Sequence, residues 1–318
     1  MRKLARLLRN YVTRREDGGS SSAAFWYLPE PPRVYDAESL QAYSASATPS
    51  PLYLMDYSAK LRYTVIDAEG LIALNYGPPI GLQRNPEAAF QYALACHDAG
   101  DYVSFLRYAA AFRDATDARG RWSYSFDWYR SKAPWHSALA QSRGASVMLR
   151  AWLLSGDPQY KDSALAALAL FDTPIAEGGF QAIHPKAGVP YVEEYPSQPT
   201  GVLNGFLASL IGMWEVERWL DDSAPPGRFA RYLASAERML PYYTTMWWTL
   251  YDLDPDWRLP NVHSPRYHRL ATDYLRVLAA LAPSPVIAEY RNRWISFEGI
   301  FARTGATALK AFKKIIHR

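Results

Sequence analysis

Tyr191-Val192-Glu193-Glu194-Tyr195-Pro196 sets two adjacent carboxylates between two tyrosines on a proline-punctuated loop. A carboxylate can accept a proton, and a phenol, with an ordinary pKa of about 10, can donate one. A pair of glutamates by itself can equally well cap a helix or pair with a surface arginine, so its neighbours decide its meaning. The loop runs at once into a helical pattern in which Leu203, Phe206, Leu207, Leu210, Ile211 and Trp214 share one apolar face. Gly205, Ala208, Ser209 and Gly212 form a second face of small residues on which another helix can approach closely. Tyr251 and Tyr267, with Asn261 and His268, lie on a later loop, so two phenols can face Glu194 from a different part of the chain.

The elements that must position these residues read as paired helices. Periodicity and turn residues predict hairpins over 85–116, 137–171, 202–240 and 270–301, recurring at roughly 50–65-residue intervals. Links inside a hairpin are short, whereas links between hairpins are long and hold most of the unusual side chains: 121–135, 177–199 and 247–268. In a ring of antiparallel hairpins these three links emerge at one end, and long decorated loops on a rigid scaffold are where function concentrates. The fold expected is therefore mainly α, an (α/α) toroid of helical hairpins, preceded by a short β-hairpin at 60–66 and 71–76 with no strands elsewhere. The expected organisation is a basic helix and a Pro/Ser/Gly-rich linker over 1–50, the β-hairpin region over 51–80, the toroid over 81–302 and a basic tail over 303–318. Residues 29–51 read as irregular.

Composition narrows the function classes. At 318 residues with 49% apolar content the chain can bury a sizeable core. Aromatic residues make up 14%, with 11 Trp and 23 Tyr, which suits either an aromatic-rich helical core or a cleft in which flat rings stack on sugars. The single cysteine, Cys96, excludes an internal disulfide and fits a reducing compartment, and no zinc or iron–sulfur spacing occurs. The net charge of +4 is generated at the two ends: six Lys/Arg and no acid in residues 1–15, five and no acid in 303–318. The body between them is acidic, which argues against a nucleic-acid partner. Both basic ends are amphipathic and can lie on an anionic membrane surface or dock on their own domain. No apolar leader core and no stretch of transmembrane length are apparent, so the expected location is cytoplasmic, with peripheral membrane contact through the ends.

Five words, in order, resemble the C-terminal catalytic domain of the D-glucuronyl C5-epimerases. They are Trp135-His136-Ser137-Ala138-Leu139-Ala140-Gln141, the Glu193-Glu194-Tyr195-Pro196 word, Val202-Leu203-Asn204-Gly205-Phe206 with Ser209 to Gly212, Tyr251-Asp252-Leu253, and Pro260-Asn261 with Tyr267-His268. The resemblance spans roughly residues 50–300, and Arg293-Trp294 also fits it. It implies proton chemistry at C5 of a uronate within a polysaccharide, without a cofactor or metal, and by analogy a homodimer. It implies catalytic roles for Glu194, Tyr251 and Tyr267, and functional or substrate contacts from Tyr195, Asn204 and Asn261; His268, Trp135, Gln141 and Arg266 are further candidate substrate contacts. Two departures bear on substrate identity: the large N-terminal β domain of the animal enzymes is missing, and the basic loop before Trp135 is reduced to Arg130 and Lys132.

Elementary chemistry agrees with that reading. The C5 hydrogen of a uronate is α to a carboxylate and weakly acidic, so its removal needs a base, an acid on the opposite face and help for the developing charge. Asn204, Asn261, His268 and an arginine such as Arg143 or Arg266 could hold the carboxylate. The same first step serves a uronate lyase, in which the carbanion expels the 4-O substituent. A toroid that binds glycan without chemistry, or a hydrolase pairing Glu194 with Asp127 or Asp252, are the other readings.

Overall fold

The structure, a computed structural model, describes residues 33–46, 48–49, 52–128, 130–220, 227–256 and 259–316. Four helical hairpins make up most of it: α2 (Pro86–Asp98) with α3 (Tyr102–Asp114), α4 (Ala138–Ser155) with α5 (Pro158–Ala169), α6 (Leu203–Leu220) with α7 (Arg228–Met239), and α8 (Pro265–Leu281) with α9 (Pro285–Ser296). The first member of each pair packs on the first member of the next, so α2, α4, α6 and α8 form a contiguous inner row. The row holds the main core, in which Phe90, Leu149, Phe206, Leu210 and Leu278 are fully buried.

Local sequence explains where the helices begin. Asn85, Asp157, Ser264 and Ser284 each precede a proline at the first helical position and accept a hydrogen bond from a backbone N–H two or three residues on. The small face of α6 behaves as its residues require. A Cβ on Gly212 would stand 2.3 Å from Ser142 Oγ, and Ser209 Oγ reaches the carbonyl of Ala138, so α4 and α6 touch almost backbone to backbone. Both helices are consequently buried nearly all round.

Several expectations change. Residues 37–45, read as irregular, form α1 (Ala37–Ala45), capped by Asp36 and seated by Leu40 and Tyr43. The strand expected at 60–66 begins as a 3-10 turn, Ser58–Arg62, and continues without regular pairing to Ile66, because Tyr57 is drawn into the core, where its hydroxyl accepts from Arg143 Nε at 2.7 Å. What remains of that hairpin is an Ile66–Ile72 bridge around Asp67–Gly70. The regular pairing shifts to β3 (Leu74–Asn75) with β4 (Leu82–Gln83), across Gly77-Pro78-Pro79. A further pair joins β1 (Arg33–Val34) to β2 (Met55–Asp56). Strands are also not confined to that region. The first two long links each contain a ribbon, β5 (Ser123–Tyr124) with β6 (Trp135–His136) and β7 (Gln181–Ile183) with β8 (Pro190–Val192). Helix α8 starts at Pro265 rather than near Leu270, since Ser264-Pro265 is itself the cap.

The carboxy-terminal segment is a docked helix, α10 (Ile300–Ile316), so the boundary expected at 302/303 falls inside it. Ala302, Ala306 and Leu309 pack against Trp248, Val262, Leu250 and Phe297. Among the described residues no helix is long and apolar enough to cross a membrane. The basic helix and the linker expected before residue 33 lie outside the described residues.

Candidate active site

The three long links meet. Ala138 N donates to the Glu194 carbonyl at 3.0 Å, Ser131 and Ser197 share a hydroxyl contact at 3.0 Å, and Leu203 N donates to the Tyr251 carbonyl at 3.1 Å. Leu253 N donates to the Thr200 carbonyl at 2.9 Å, and Arg130 reaches Asp254 at 3.4 Å. The loops thus fix one another as well as being fixed by the helices.

The two glutamates at the centre have different surroundings. Glu193 is wholly enclosed and fully used: Tyr191 Oη and Gly201 N donate to its Oε2 at 2.7 Å, and Tyr195 N to Oε1 at 3.3 Å. Burial still pushes its carboxyl above the ordinary range, while those donors pull it down. Glu194 is 5% exposed and lies across the first turn of α6, where its side chain occupies the space left by Gly205. A Cβ there would stand 2.3 Å from Glu194 Oε2 and 2.6 Å from its Cγ. Burial pushes the Glu194 carboxyl up to about 8, the Glu193 and Glu87 charges add to this, and a hydrogen bond from Tyr195 opposes it.

From Glu194 a chain of phenols leads across the links. The Tyr195 hydroxyl bonds the Glu194 carboxylate, Tyr251 also lies in the field of that carboxylate, and the Tyr251 and Tyr267 rings meet edge to face at 5.6 Å. Burial raises all three phenols, and the Glu194 charge raises each further; Tyr267 reaches about 12. Tyr267 is nevertheless 37% exposed, so it stands in an open cleft walled by protein. Its place is set by the α8 cap, in which Tyr267 N donates to Ser264 Oγ at 3.3 Å. Near neutral pH this arrangement offers a carboxyl poised close to its own pKa and phenols held protonated, a base and an acid driven apart by their environments.

The other expected site residues are distributed as follows. Asn204 is buried, donates to the Tyr267 carbonyl at 3.3 Å and keeps a buried Oδ1 with no hydrogen-bond partner among the described residues. Asn261 is held at both ends, donating to Asp252 Oδ2 at 2.5 Å and accepting from Lys310 Nζ at 2.9 Å. Arg266 lies beside Tyr267 and partly offsets the rise of its phenol. His268 has no surface to offer a substrate: it is enclosed between Thr249, the Trp294 carbonyl and the Trp248 ring stacked at 4.0 Å, and burial lowers it to about 4. Its contacts hold the turn that presents Tyr267. Trp135 stacks on Tyr124 at 3.8 Å, gives its N–H to the Phe126 carbonyl and touches Tyr195 at 6.0 Å, so it supports the cleft from behind. Gln141 is buried on the Gly120 carbonyl. Arg143 is buried on Glu87 at 2.7 Å and on the Tyr57 and Tyr274 hydroxyls, so it cannot reach a ligand directly. Asp127 is exposed and paired with Lys132 at 2.7 Å.

Sequence reasoning missed part of this surface. Tyr76 and Trp128, 5.1 Å apart and partly exposed, extend the aromatic wall beside Tyr195. Glu87 reads in sequence as an ordinary acid in the first turn of a helix, yet it is buried and its charge reaches Glu194, Tyr124 and Tyr267. Lys60 is buried beside Arg266, and its ammonium falls to about 7 through burial first and Arg266 second. No local pattern marks either one, because both depend on contacts distant in sequence.

Comparison with known proteins gives this geometry a lineage. The chain is 33% identical over 178 residues to a D-glucuronyl C5-epimerase of Caenorhabditis elegans, covering 51% of this chain and 29% of that protein. It is 27% identical over 154 residues to an uncharacterised protein of Methanocaldococcus jannaschii, covering 47% of this chain and 49% of the other. The chain thus spans less than half the length of either relative. The family model described as D-glucuronyl C5-epimerase C-terminus matches residues 116–296, a stretch that holds Glu194, all three cleft tyrosines and Asn204. That match covers more than half of the chain, which therefore belongs to the family of the D-glucuronyl C5-epimerase C-terminus.

Proposed function

We propose that the chain is a polysaccharide C5-epimerase that converts D-glucuronate to L-iduronate residues by proton transfer at C5. The observation that carries this reading is the gathering of Tyr195, Tyr251 and Tyr267 in the field of the raised carboxyl of Glu194, with the Tyr251 and Tyr267 rings in contact. Ionised Glu194 takes the C5 proton from one face of the sugar. A tyrosine, Tyr267 or Tyr251, returns a proton to the other face, and the roles exchange in the reverse direction. A carboxyl near 8 is a stronger base than an ordinary glutamate, which favours abstraction of a weakly acidic carbon proton. The aromatic wall of Tyr76 and Trp128 lies along the polymer. In the same reading the inner row of helices closes as an (α/α) toroid over about 81–302, with the three links at its mouth.

The test is hydrogen–deuterium exchange at C5 in heavy water across a panel of glucuronate-containing polysaccharides, with the iduronate product quantified. Exchange accompanied by iduronate is expected. A shortened polymer with an absorbing double bond would replace epimerisation by β-elimination, and no exchange on any uronan would sink the assignment.

A further inference from the structure

Removing the C5 proton of a uronate adds negative charge to a carbon whose neighbour is already a carboxylate, so the site needs a cation at that group. Arg143 is committed to Glu87, Tyr57 and Tyr274 beneath the cleft. The ammonium on the Tyr251 side comes from elsewhere. Lys310, on α10, has its Nζ 5.0 Å from the centre of the Tyr251 ring and 2.9 Å from Asn261 Oδ1. Asn261 cannot turn away, since its amide nitrogen is fixed by Asp252 at 2.5 Å, so its oxygen is aimed at the lysine. Lys313, one turn on, lies in the field of Asp252 and Asp254, and Arg130 also pairs with Asp254, so Lys310 shares Asp252 with a second cation and leaves Asp254 to others. Lys310 is only partly buried, and α10 is anchored on Trp248 and Val262, residues of the same link that carries Tyr251 and Asn261.

We propose that Lys310 binds the uronate carboxylate, and that the carboxy-terminal helix is thereby part of the active site. The helix begins at Ile300, beyond the residues 116–296 that the family model matches. The inference rests on the uronate reading given above. Lys310 grips the carboxylate next to the Tyr251 hydroxyl and stabilises the charge that develops on it, with Asn261 as the positioning residue behind the ammonium.

The experiment uses the full chain and a uronan on which the parent exchanges C5 hydrogen, with the carboxyl-reduced form of that polymer as competitor. The parent is expected to prefer the native polymer, since the reduced one offers nothing to the ammonium. Lys310→Met should lower kcat/KM for exchange by about 10–100-fold, the worth of a hydrogen bond to a charged group, and should abolish that preference. Lys310→Arg should recover most of both, and Arg303→Met, the same charge loss at an exposed position of α10, should match the parent. Lys310→Met with parental kinetics, or with faster exchange because the lysine had blocked the site, would overturn the proposal. So would a parent that binds native and carboxyl-reduced polymer equally, a result that does not depend on any variant folding. A parent inert toward every uronan sinks the underlying reaction assignment instead, and this proposal with it.

Discussion

Glu194→Gln should make the protein more stable at alkaline pH while abolishing its exchange chemistry. The Glu194 carboxyl is raised from 4.5 to about 8 by burial. The unfolded chain therefore releases this proton near pH 4.5, while the folded chain holds it until about pH 8. A raised folded pKa gives stability that is complete below the unfolded value and is lost as pH climbs through the folded one. Between pH 5 and pH 8 the loss is about 3 pH units at about 1.4 kcal/mol each, on the order of 3–4 kcal/mol. Glutamine cannot ionise and keeps an oxygen for the Tyr195 hydroxyl, so the variant escapes this loss. Its new amide N–H₂ costs about 1–3 kcal/mol if it finds no acceptor, but that cost does not vary with pH. Chemical denaturation of parent and variant at pH 5 and pH 8 isolates the carboxyl and the groups coupled to it, because titrating groups that do not sense Glu194 cancel in the difference of differences. The expected value is about 3 kcal/mol in favour of the variant at the higher pH. A difference below about 1 kcal/mol would mean that Glu194 ionises as an ordinary carboxylate, and its role as a tuned base would fall with it.

The kcat/KM for C5 exchange should rise with pH along a limb centred near 8, as Glu194 loses its proton; a limb near 4.5 would point to a different base. Gly205→Ala gains about 1 kcal/mol of helix propensity, yet its methyl would lie within 2.6 Å of three Glu194 atoms. Overpacking of about 1–3 kcal/mol should therefore win, seen as a lower denaturation midpoint together with slower exchange. Tyr251→Phe and Tyr267→Phe each remove one hydroxyl and should block formation of iduronate with near-parental thermal stability, measured by product analysis and a melting scan. Glu193→Gln replaces one acceptor of three donors by an amide N–H₂ and should cost about 1–3 kcal/mol of stability, with the pH limb of exchange moved to lower pH, because the Glu193 charge helps hold the Glu194 carboxyl up.

The helical hairpins were legible because each is written several times over. Apolar spacing and a breaker between partners agree at 85–116, 137–171 and 202–240, and the first two also carry a cap residue with proline at the next position, Asn85-Pro86 and Asp157-Pro158. The close approach of α4 and α6 was also visible, since a stripe holding Gly205, Ser209 and Gly212 leaves little other use for that face. The amino-terminal part was misread where long-range contact overruled local preference. Lys60 to Ile66 alternate like a strand, but Tyr57 is pulled inward to Arg143, 86 residues away, and the chain turns to allow it. Ribbons of two or three residues, such as β5–β6 and β7–β8, carry too few alternations to register in sequence.

At the site, residue order served better than residue type. Glu194, Tyr195, Tyr251 and Tyr267 do converge, although no spacing rule links 194 to 267; three backbone hydrogen bonds and two side-chain contacts bring the links together. His268 shows the opposite case. It stands next to Tyr267 and is chemically able, yet the first turn of α8 sends the two side chains in different directions, one to the cleft and the other beneath Trp248. The paired glutamates divide for the same reason. Successive residues of an extended loop point to opposite sides, so Glu193 turns into the N–H groups of the loop that follows, and Glu194 turns onto the gap left by Gly205. The first is surrounded by donors that answer its charge, and it staples the loop. The second has one phenol and a wall of buried carbon, so its charge is answered poorly, and a poorly answered carboxylate is a strong base. In the proposed reaction a single-residue step along the chain thus separates the structural carboxylate from the reactive one, and exchanging their environments, not their identities, would be needed to exchange their roles.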